Sequence, residues 1–430
     1  MTAQIALMNK RAIALATDSA VTIGNGDKFY NTAEKLFMLS KFSPVSIMVY
    51  NNAEFMGLPW EIIIKQYREH IKDNEFSSIN DYCDSFFDYL KSDNFNFLHY
   101  EERFIRNTIK WFLDDLNSQI QKAYNDIAAA IGCKPNEEQI KVILNSNIEN
   151  YYNIVNDFND LNNLPENYDN YINTKYSTLI LELINSEIPV TLISDEYKEK
   201  LKISCIKVFK KEIRESGYSG LVIAGFGKKD VFPILVSFEI SGIINGYIKY
   251  IKNKHVEINT DNDFAIVPFA QTDTVDTFLT GISPSYLNVI NRAFNTQVIS
   301  AVDELDEAIL GKIHRETLKN TLNERWRDLT EEITAHSNKT YLFPILRAIR
   351  VLPKDELASM AESLVNLTSF KRQVAVDEYS QTVGGPIDVA IISKGDGFVW
   401  IKRKHYFKPE LNHHFFENYY NNCREVDSNE

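Results

Sequence analysis

The amino-terminal stretch constrains the fold of this chain more than any other feature of the sequence. Residues 3–8 and 12–18 are almost continuously apolar, and the polar turn Asn9-Lys10-Arg11 separates them. Two short apolar runs with a polar turn between them are typical of a β-hairpin. The sequence therefore predicts that the chain begins with two antiparallel strands, with Thr2 just before the first and Asp18 at the end of the second.

Thr2 has the chemistry of a nucleophile if it is the first residue of the chain, as it would be after removal of Met1. A terminal threonine carries its own base, because its hydroxyl lies beside its α-amine. That amine titrates near ~7.7–8.0 in short peptides, so it accepts a proton at neutral pH without a histidine. Threonine paired with an N-terminal amine is a recognised activated nucleophile. Asp18 and Lys35 supply a carboxylate and an ammonium that could flank it.

Composition limits the classes of partner and compartment. The formal net charge of −13 argues against nucleic acid or an anionic membrane as a partner, because both require clustered Lys and Arg. No apolar run approaches the ~18 residues of a membrane span, and no signal peptide is visible. The four cysteines are far apart and indicate free thiols in a reducing compartment. The sequence therefore predicts a cytoplasmic protein.

The rest of the chain alternates between strand and helix patterns. The predicted elements, in chain order, are strands at 35–39 and 45–50, a helix that opens at Leu58-Pro59, a mostly helical region at 65–215, a four-strand meander between 219 and 270, helices at about 272–370, and two last strands at 383–392 and 398–402.

The stretch from Thr2 to Lys35 resembles the N-terminal nucleophile (Ntn) hydrolases, in particular the threonine peptidases of the proteasome β-subunit type. In that family a mature Thr begins a strand, an Ala-Asp-Ser sequence ends the next strand sixteen residues later, and a Lys follows. Here Asp18 lies sixteen residues after Thr2, within Thr17-Asp18-Ser19. Lys35 lies about one residue later in the chain than the family's spacing would place it. The resemblance implies that Thr2 is the nucleophile, that Lys35 lowers the pKa of its amine, and that Asp18 orients Lys35.

The resemblance also implies an oxyanion and substrate loop. In the family the fourth strand ends in a Gly-rich loop whose backbone amide faces the scissile carbonyl. Tyr50-Asn51 occupies that place here, without a glycine. The oxyanion role needs only an N–H aimed at the developing charge, so the departure does not forbid catalysis. Gly384-Gly385, before the penultimate strand, is assigned to the same loop region by the resemblance.

A second motif of the family is Asp-x-x-Ser-Gly-Gly, whose Asp and Ser touch the terminal threonine. Asp377 and Ser380 reproduce the Asp-x-x-Ser and are the polar groups expected beside Thr2, although three residues separate them from the glycines. Anchoring the alignment on the glycines instead places Val383 at the serine and Ser380 at the aspartate. Both alignments are open.

The fold that the resemblance implies is α+β. It is a four-layer αββα sandwich, with two antiparallel sheets face to face and helices on both outer faces, enlarged by a large helical insertion. The core comprises residues 1–64 and 216–408, including the longer helices at about 272–370. The insertion spans 65–215, and a C-terminal tail spans 409–430.

The function that the resemblance implies is cleavage of amide bonds in peptides or proteins by Thr2, freed by removal of Met1. A homo-oligomer is a further expectation, because family members often form rings. No cofactor is expected, and no metal, since the adjacent His413 and His414 have no third or fourth ligand placed with them. Two alternatives are open: a non-catalytic proteasome-like scaffold used for assembly, and an amidohydrolase of the same fold that acts on small molecules.

Overall fold

The computed structural model describes residues 2–23, 28–30, 33–92, 95, 97–305, 312–374 and 384–421. Within these ranges the chain is a mixed α and β protein with antiparallel sheets. It divides into two compact units. The first unit comprises Met1–Leu36, Val231–Pro233 and Glu257–Glu430, and the second comprises Phe37–Asp230 and Ile234–Val256.

The strands are β1 (Ala3–Asn9), β2 (Ile13–Thr17), β3 (Val21–Ile23), β4 (Lys28–Tyr30), β5 (Leu36–Met38), β6 (Val45–Asn51), β7 (Glu54–Phe55), β8 (Leu58–Pro59), β9 (Ser219–Gly225), β10 (Ile234–Ile244), β11 (Tyr247–Glu257), β12 (Phe264–Ala270), β13 (Asp388–Ser393) and β14 (Gly397–Lys402).

The α-helices are α1 (Trp60–Ile71), α2 (Ile79–Lys91), α3 (Glu101–Ile131), α4 (Glu137–Asp157), α5 (Tyr168–Glu187), α6 (Asp195–Lys207), α7 (Asp273–Thr280), α8 (Pro284–Ala293), α9 (Ser300–Glu304), α10 (Lys312–Ser337), α11 (Phe343–Val351), α12 (Lys354–Val374) and α13 (His413–Asn421).

The first unit contains a five-stranded sheet in the order β12-β1-β2-β13-β14. All seven residues of β1 and all five of β2 are buried, which matches their near-continuous apolar sequence. Helix α12 packs on β1 and β2. Small side chains on both surfaces allow the helix to approach the sheet closely: Ala14 and Ala16 on the sheet, and Ala358 and Ala361 on the helix. The hairpin predicted at the start of the chain is therefore the centre of this sheet.

The second sheet has the order β11-β10-β9-β6-β5. Helices α1 and α2 pack against it through large apolar side chains, among them Trp60, Tyr67 and Phe86. Helix α2 begins where Ser78 and Asp81 cap each other reciprocally, since the Ser78 hydroxyl accepts from the Asp81 N–H and the Asp81 carboxylate accepts from the Ser78 N–H. Helices α3 to α6 form a further apolar cluster in the same unit, which also includes Ile244 at the end of β10.

The predicted four-strand meander between 219 and 270 is wrong in its last strand. Strands β9, β10 and β11 are neighbours in one sheet, but β12 pairs with β1 over its whole length, from Ala3 opposite Ala270 to Asn9 opposite Phe264. Apolar periodicity predicts a strand but does not specify its partner, so the sequence pattern was compatible with either sheet.

The face-to-face stacking of a four-layer αββα sandwich stays a prediction, as does the division of the chain into core, insertion and tail. None of the helices within the described ranges combines the length and the apolar character that crossing a bilayer requires.

Candidate active site

The hairpin of β1 and β2 brings Thr2 and Asp18 to the same end of the first sheet. The two strands pair in antiparallel register, and the Asp18 N–H donates to the carbonyl oxygen of Ala3 across 3.1 Å. On the other side of β1, the N–H of Gln271 donates to the carbonyl oxygen of Thr2 across 3.2 Å. Backbone hydrogen bonds from both neighbouring segments therefore hold the start of β1 in place.

Lys35 connects Thr2 and Asp18. It stands directly before β5, and its Nζ lies 2.9 Å from Thr2 Oγ1 and 2.9 Å from Asp18 Oδ1. Its third hydrogen bond goes to the carbonyl oxygen of Ala20. An ammonium group has three N–H donors, so each of them has an acceptor here. The structure thus brings together the three side chains that the sequence analysis placed in one site.

The Asp18 carboxylate is held by backbone groups as well as by Lys35. Its Oδ1 accepts from the N–H of Ala3 at 3.1 Å. Its Oδ2 accepts from the N–H groups of Ala20 at 3.4 Å and Gly384 at 3.1 Å. Hydrogen bonds to an ionised acceptor are stronger than those between neutral groups. Three separate backbone segments therefore orient the carboxylate, and the carboxylate in turn positions the Lys35 ammonium.

The three side chains are almost completely withdrawn from solvent, with exposed fractions of 4% for Thr2, 0% for Asp18 and 5% for Lys35. Burial disfavours the charged form of Lys35 and lowers its pKa, and this effect outweighs the opposing charge and hydrogen bond of Asp18. Lys35 therefore releases a proton more readily than an exposed lysine does.

A second buried ion pair lies in the same unit. Asp388 begins β13 as the cross-strand neighbour of Thr17, and its carboxylate accepts from both the N–H of Lys404, at 2.8 Å, and the Nζ of Lys404. The side chains of Asp388 and Lys404 are 3% and 9% exposed. The positive charge of Lys404 lowers the pKa of Lys35 and the negative charge of Asp388 raises it. The pair therefore contributes to the electrostatic field at Lys35.

Of the two predicted glycines, Gly384 contacts the site through Asp18. Besides its bond to Asp18, Gly384 accepts from the N–H of Ser19 across 3.2 Å. Gly384 and Gly385 have φ angles of 157° and 79°, which side chains with a Cβ rarely adopt. A contact of these glycines with substrate stays a prediction. Asp377 and Ser380, together with the alternative position Val383, lie outside the described residues.

Tyr50 and Asn51, the predicted oxyanion loop, end β6 in the second unit. Asn51 has a φ of 67°, a left-handed conformation that asparagine tolerates better than most other non-glycine residues. Its Nδ2 donates to the carbonyl oxygens of Tyr218 at 2.7 Å and Ser216 at 3.3 Å. Asparagine therefore forms the turn for which the sequence offers no glycine, and the oxyanion role stays a prediction.

Asp388 and Lys404 were not predicted as site residues from the sequence. Asp388 could have been identified from the sequence, because it is a carboxylate at the start of the apolar run Val389-Ala390-Ile391. A charge that is buried with such a run requires a partner. Nothing local identified Lys404 as that partner. Among the residues that the structure describes, no three His, Cys, Asp or Glu side chains are grouped so that they could hold a metal ion.

Comparison with solved structures finds Anbu proteins among the chains that are similar to this one. The chain is similar to Anbu from Hyphomicrobium sp. strain MC1, with a TM-score of 0.29 and 8% identity, over 100% of this chain and 97% of the other. The Gly-1 mutant of the same protein gives a TM-score of 0.27 and 10% identity, over 100% and 98% of the two chains. Anbu (ancestral beta-subunit) from Yersinia bercovieri gives 0.26 and 10%, over 97% and 94%.

No protein-family model and no curated protein matches the chain. The prediction that it is an N-terminal nucleophile hydrolase of the proteasome β-subunit-like superfamily is wrong as a statement of membership, because the similar solved structures reach TM-scores of only 0.26 to 0.29 and identities of 8% to 10%. TM-scores and identities this low carry no argument about the fold or the function of this chain.

Proposed function

We propose that this protein hydrolyses amide bonds, with the Thr2 hydroxyl as the nucleophile after removal of Met1. The observation that carries the proposal is the contact of the buried Lys35 Nζ with Thr2 Oγ1 and Asp18 Oδ1, each at 2.9 Å. Buried ionisable groups with a shifted pKa and a specific charged partner are concentrated at functional sites. A lysine held against a hydroxyl in this way supports activation of that hydroxyl.

The reaction proceeds through an ester with the enzyme. Thr2 Oγ1 attacks the carbonyl carbon of the amide, and its proton passes to the α-amine of the same residue. The tetrahedral intermediate then collapses, the carbon–nitrogen bond breaks, and the leaving amine takes that proton. Water hydrolyses the resulting ester, which releases the acid and restores the hydroxyl.

Lys35 has two effects in this mechanism. Its N–H bond to Thr2 Oγ1 stabilises negative charge that develops on the oxygen as the proton leaves. Its positive charge lowers the pKa of the nearby α-amine, since like charges disfavour each other, and so keeps that amine able to accept a proton. Asp18 positions Lys35 through the direct ion pair.

The proposed substrate is a peptide or protein, and the proposed state of assembly is a homo-oligomer. The oxyanion donors at Tyr50 and Asn51 and the four-layer αββα arrangement of the two sheets belong to the same proposal. In the alternative, the enzyme acts on small amides. Rates of hydrolysis of fluorogenic peptide amides and of simple acyl amides with the same leaving group distinguish this alternative from a peptidase.

A non-catalytic scaffold is the second candidate, and one observation favours it. The contacts among Lys35, Asp18 and the backbone of Ala3 and Gly384 tie together distant parts of the first unit whether or not Thr2 reacts. The intact mass of the purified protein separates the two candidates. Retention of Met1 favours the scaffold, because an acylated amine cannot act as the base.

The decisive experiment labels Thr2 directly and works whatever the natural substrate is. A β-lactone acylates an activated hydroxyl, so we expect it to add one mass increment to the wild-type protein and peptide mapping to place the increment on Thr2. Thr2→Ala should abolish both labelling and hydrolysis of fluorogenic peptides with the fold intact, whereas Thr2→Ser should retain part of each. Thr368→Ala is the matched control, because it also removes a buried threonine hydroxyl in the first unit. Equal labelling and activity in Thr2→Ala would contradict the proposal.

A further inference from the structure

The second unit contains a cavity of about 260 Å³ whose lining does not include Thr2, Asp18 or Lys35. It lies among the β7–β8 turn, the start of α3, and the segment before β9. Four aromatic residues are part of its lining, namely Tyr100, Phe104, Trp111 and Tyr218. Ligand pockets are typically lined by apolar and aromatic side chains with a few polar groups, and span ~300–1,000 Å³. At about 260 Å³ this cavity is just below that range, so it suits a small ligand.

Two residues of opposite charge, Glu54 and Arg103, line the same cavity, and both are exposed. Within the described part of the chain, neither of these charged groups has a hydrogen bond or ion pair. By contrast, Arg106, one turn further along α3, is engaged by Glu102 at 3.3 Å. The cavity thus presents one anion and one cation that are available to a ligand.

The remaining carboxylate in the wall is already satisfied. Glu215 is 4% exposed, and its two oxygens accept from Ser241 Oγ and Lys249 Nζ. Lys249 is 1% exposed and also donates to the carbonyl oxygen of Val208 at 2.7 Å. A buried charge with its partners in place has no need of a further counter-ion. The charges that a ligand would meet are therefore those of Glu54 and Arg103.

The walls of the cavity are held in place by specific contacts. The side-chain amide of Asn51 donates to the Tyr218 carbonyl oxygen at 2.7 Å, and that of Asn52 donates to the Gly217 carbonyl oxygen at 3.1 Å. Asn51 and Met56 both have positive φ angles, 67° and 49°. Backbone strain of this kind persists only where the surroundings enforce it, and it is concentrated at ligand sites. A preformed cavity also lowers the entropic cost of binding.

We propose that this cavity binds a free α-amino acid with an aromatic side chain. The ligand carboxylate pairs with the Arg103 guanidinium, whose planar fork matches a carboxylate. The ligand ammonium pairs with the Glu54 carboxylate. The aromatic side chain packs among the rings of Tyr100, Trp111 and Tyr218, which favour edge-to-face and offset contacts with another ring.

The first test is calorimetric titration of the full-length protein with L-phenylalanine and two analogues. Phenylalaninamide lacks the carboxylate, and N-acetylphenylalanine lacks the ammonium. We expect saturable binding of L-phenylalanine and about tenfold weaker binding of each analogue, since each loses one charged hydrogen-bonded contact. Absence of saturable binding at millimolar concentration, or equal affinity for all three compounds, overturns the proposal.

The second test assigns each contact to its residue. Arg103→Gln should lower the affinity for L-phenylalanine about tenfold and leave the affinity for phenylalaninamide unchanged. Glu54→Gln should lower the affinity for L-phenylalanine by a similar factor and leave the affinity for N-acetylphenylalanine unchanged. Arg106→Gln and Glu102→Gln are matched controls on the same helix and should bind as the wild type does. Thr2→Ala should also bind normally, so that failure of this proposal is distinct from failure of the proposed hydrolysis. Wild-type affinity for L-phenylalanine in Arg103→Gln overturns the assignment.

Discussion

The backbone N–H of Gly384 donates to the Asp18 carboxylate across 3.1 Å, and the two residues are 366 positions apart in the chain. Asp18 in turn holds Lys35, which contacts Thr2. The segment that enters β13 therefore completes the environment of residues from the first strands. The site depends on a long-range contact as well as on the local hairpin, and this dependence can be tested.

Substitution of Gly384 should damage both the fold and the site. Because Gly384 has a φ of 157°, Gly384→Ala places a Cβ in a conformation that costs about 1–3 kcal/mol of unfolding free energy. Urea unfolding measures this loss, and β-lactone labelling of Thr2 should fall with it. Gly395→Ala is the control, because a Cβ there meets no atom within 4 Å. Equal stability of the two variants would contradict the role assigned to Gly384.

The stability of the wild type should rise with pH relative to Lys35→Met. Burial lowers the pKa of Lys35 below its ordinary 10.5, so between the two values the unfolded chain binds more protons than the folded chain. The wild-type free energy of unfolding therefore increases as pH rises through that window. Lys35→Met lacks this titration. Urea unfolding at a series of neutral to alkaline pH values measures the difference, and a difference that does not change with pH rules out the lowered pKa.

Removal of one partner of the second ion pair should be costly. Asp388→Asn leaves the Lys404 ammonium, on a side chain that is 9% exposed, without its carboxylate. Breaking a buried pair in this way costs about 3 kcal/mol of unfolding free energy. The double variant Asp388→Asn with Lys404→Met should recover part of that loss, because no unpaired charge remains. A loss of about 0.5 kcal/mol or less in the single variant, as for ordinary surface substitutions, would show that the pair is not buried in solution.

Glu101 should make the second unit sensitive to acid. Burial by itself raises the pKa of Glu101, but hydrogen bonds from Tyr176, from the backbone N–H of Asn245 and from other donors outweigh it and hold the pKa below 4.5. The stabilisation is complete above the unfolded value and is lost as pH falls through the lower folded value. Glu101→Gln should therefore lose less unfolding free energy than the wild type does on acidification. Urea unfolding at several acidic pH values, followed by circular dichroism, measures this difference. Glu102→Gln, with an exposed side chain, should follow the wild-type profile.

Much of the first sheet was predictable because its centre is local. The hairpin of β1 and β2 needs only a short turn, so an apolar pattern and a polar break were sufficient to predict it. The contact of Thr2, Asp18 and Lys35 was expected from a family resemblance. The structure contains this contact, although the prediction of membership in that family is wrong. The pairing of β12 with β1 was not predictable, because strand periodicity carries no information about the partner.

The sequence by itself determined the strands of the amino-terminal hairpin and the presence of a hydroxyl, a carboxylate and an ammonium at Thr2, Asp18 and Lys35, since these follow from residue type and short-range spacing. Only the tertiary structure decided that Lys35 is buried with a lowered pKa, that Gly384 binds Asp18, and that Arg103 and Glu54 line one cavity. The physical reason is that burial and long-range hydrogen bonds depend on which segments pack together, and side-chain chemistry alone does not specify this.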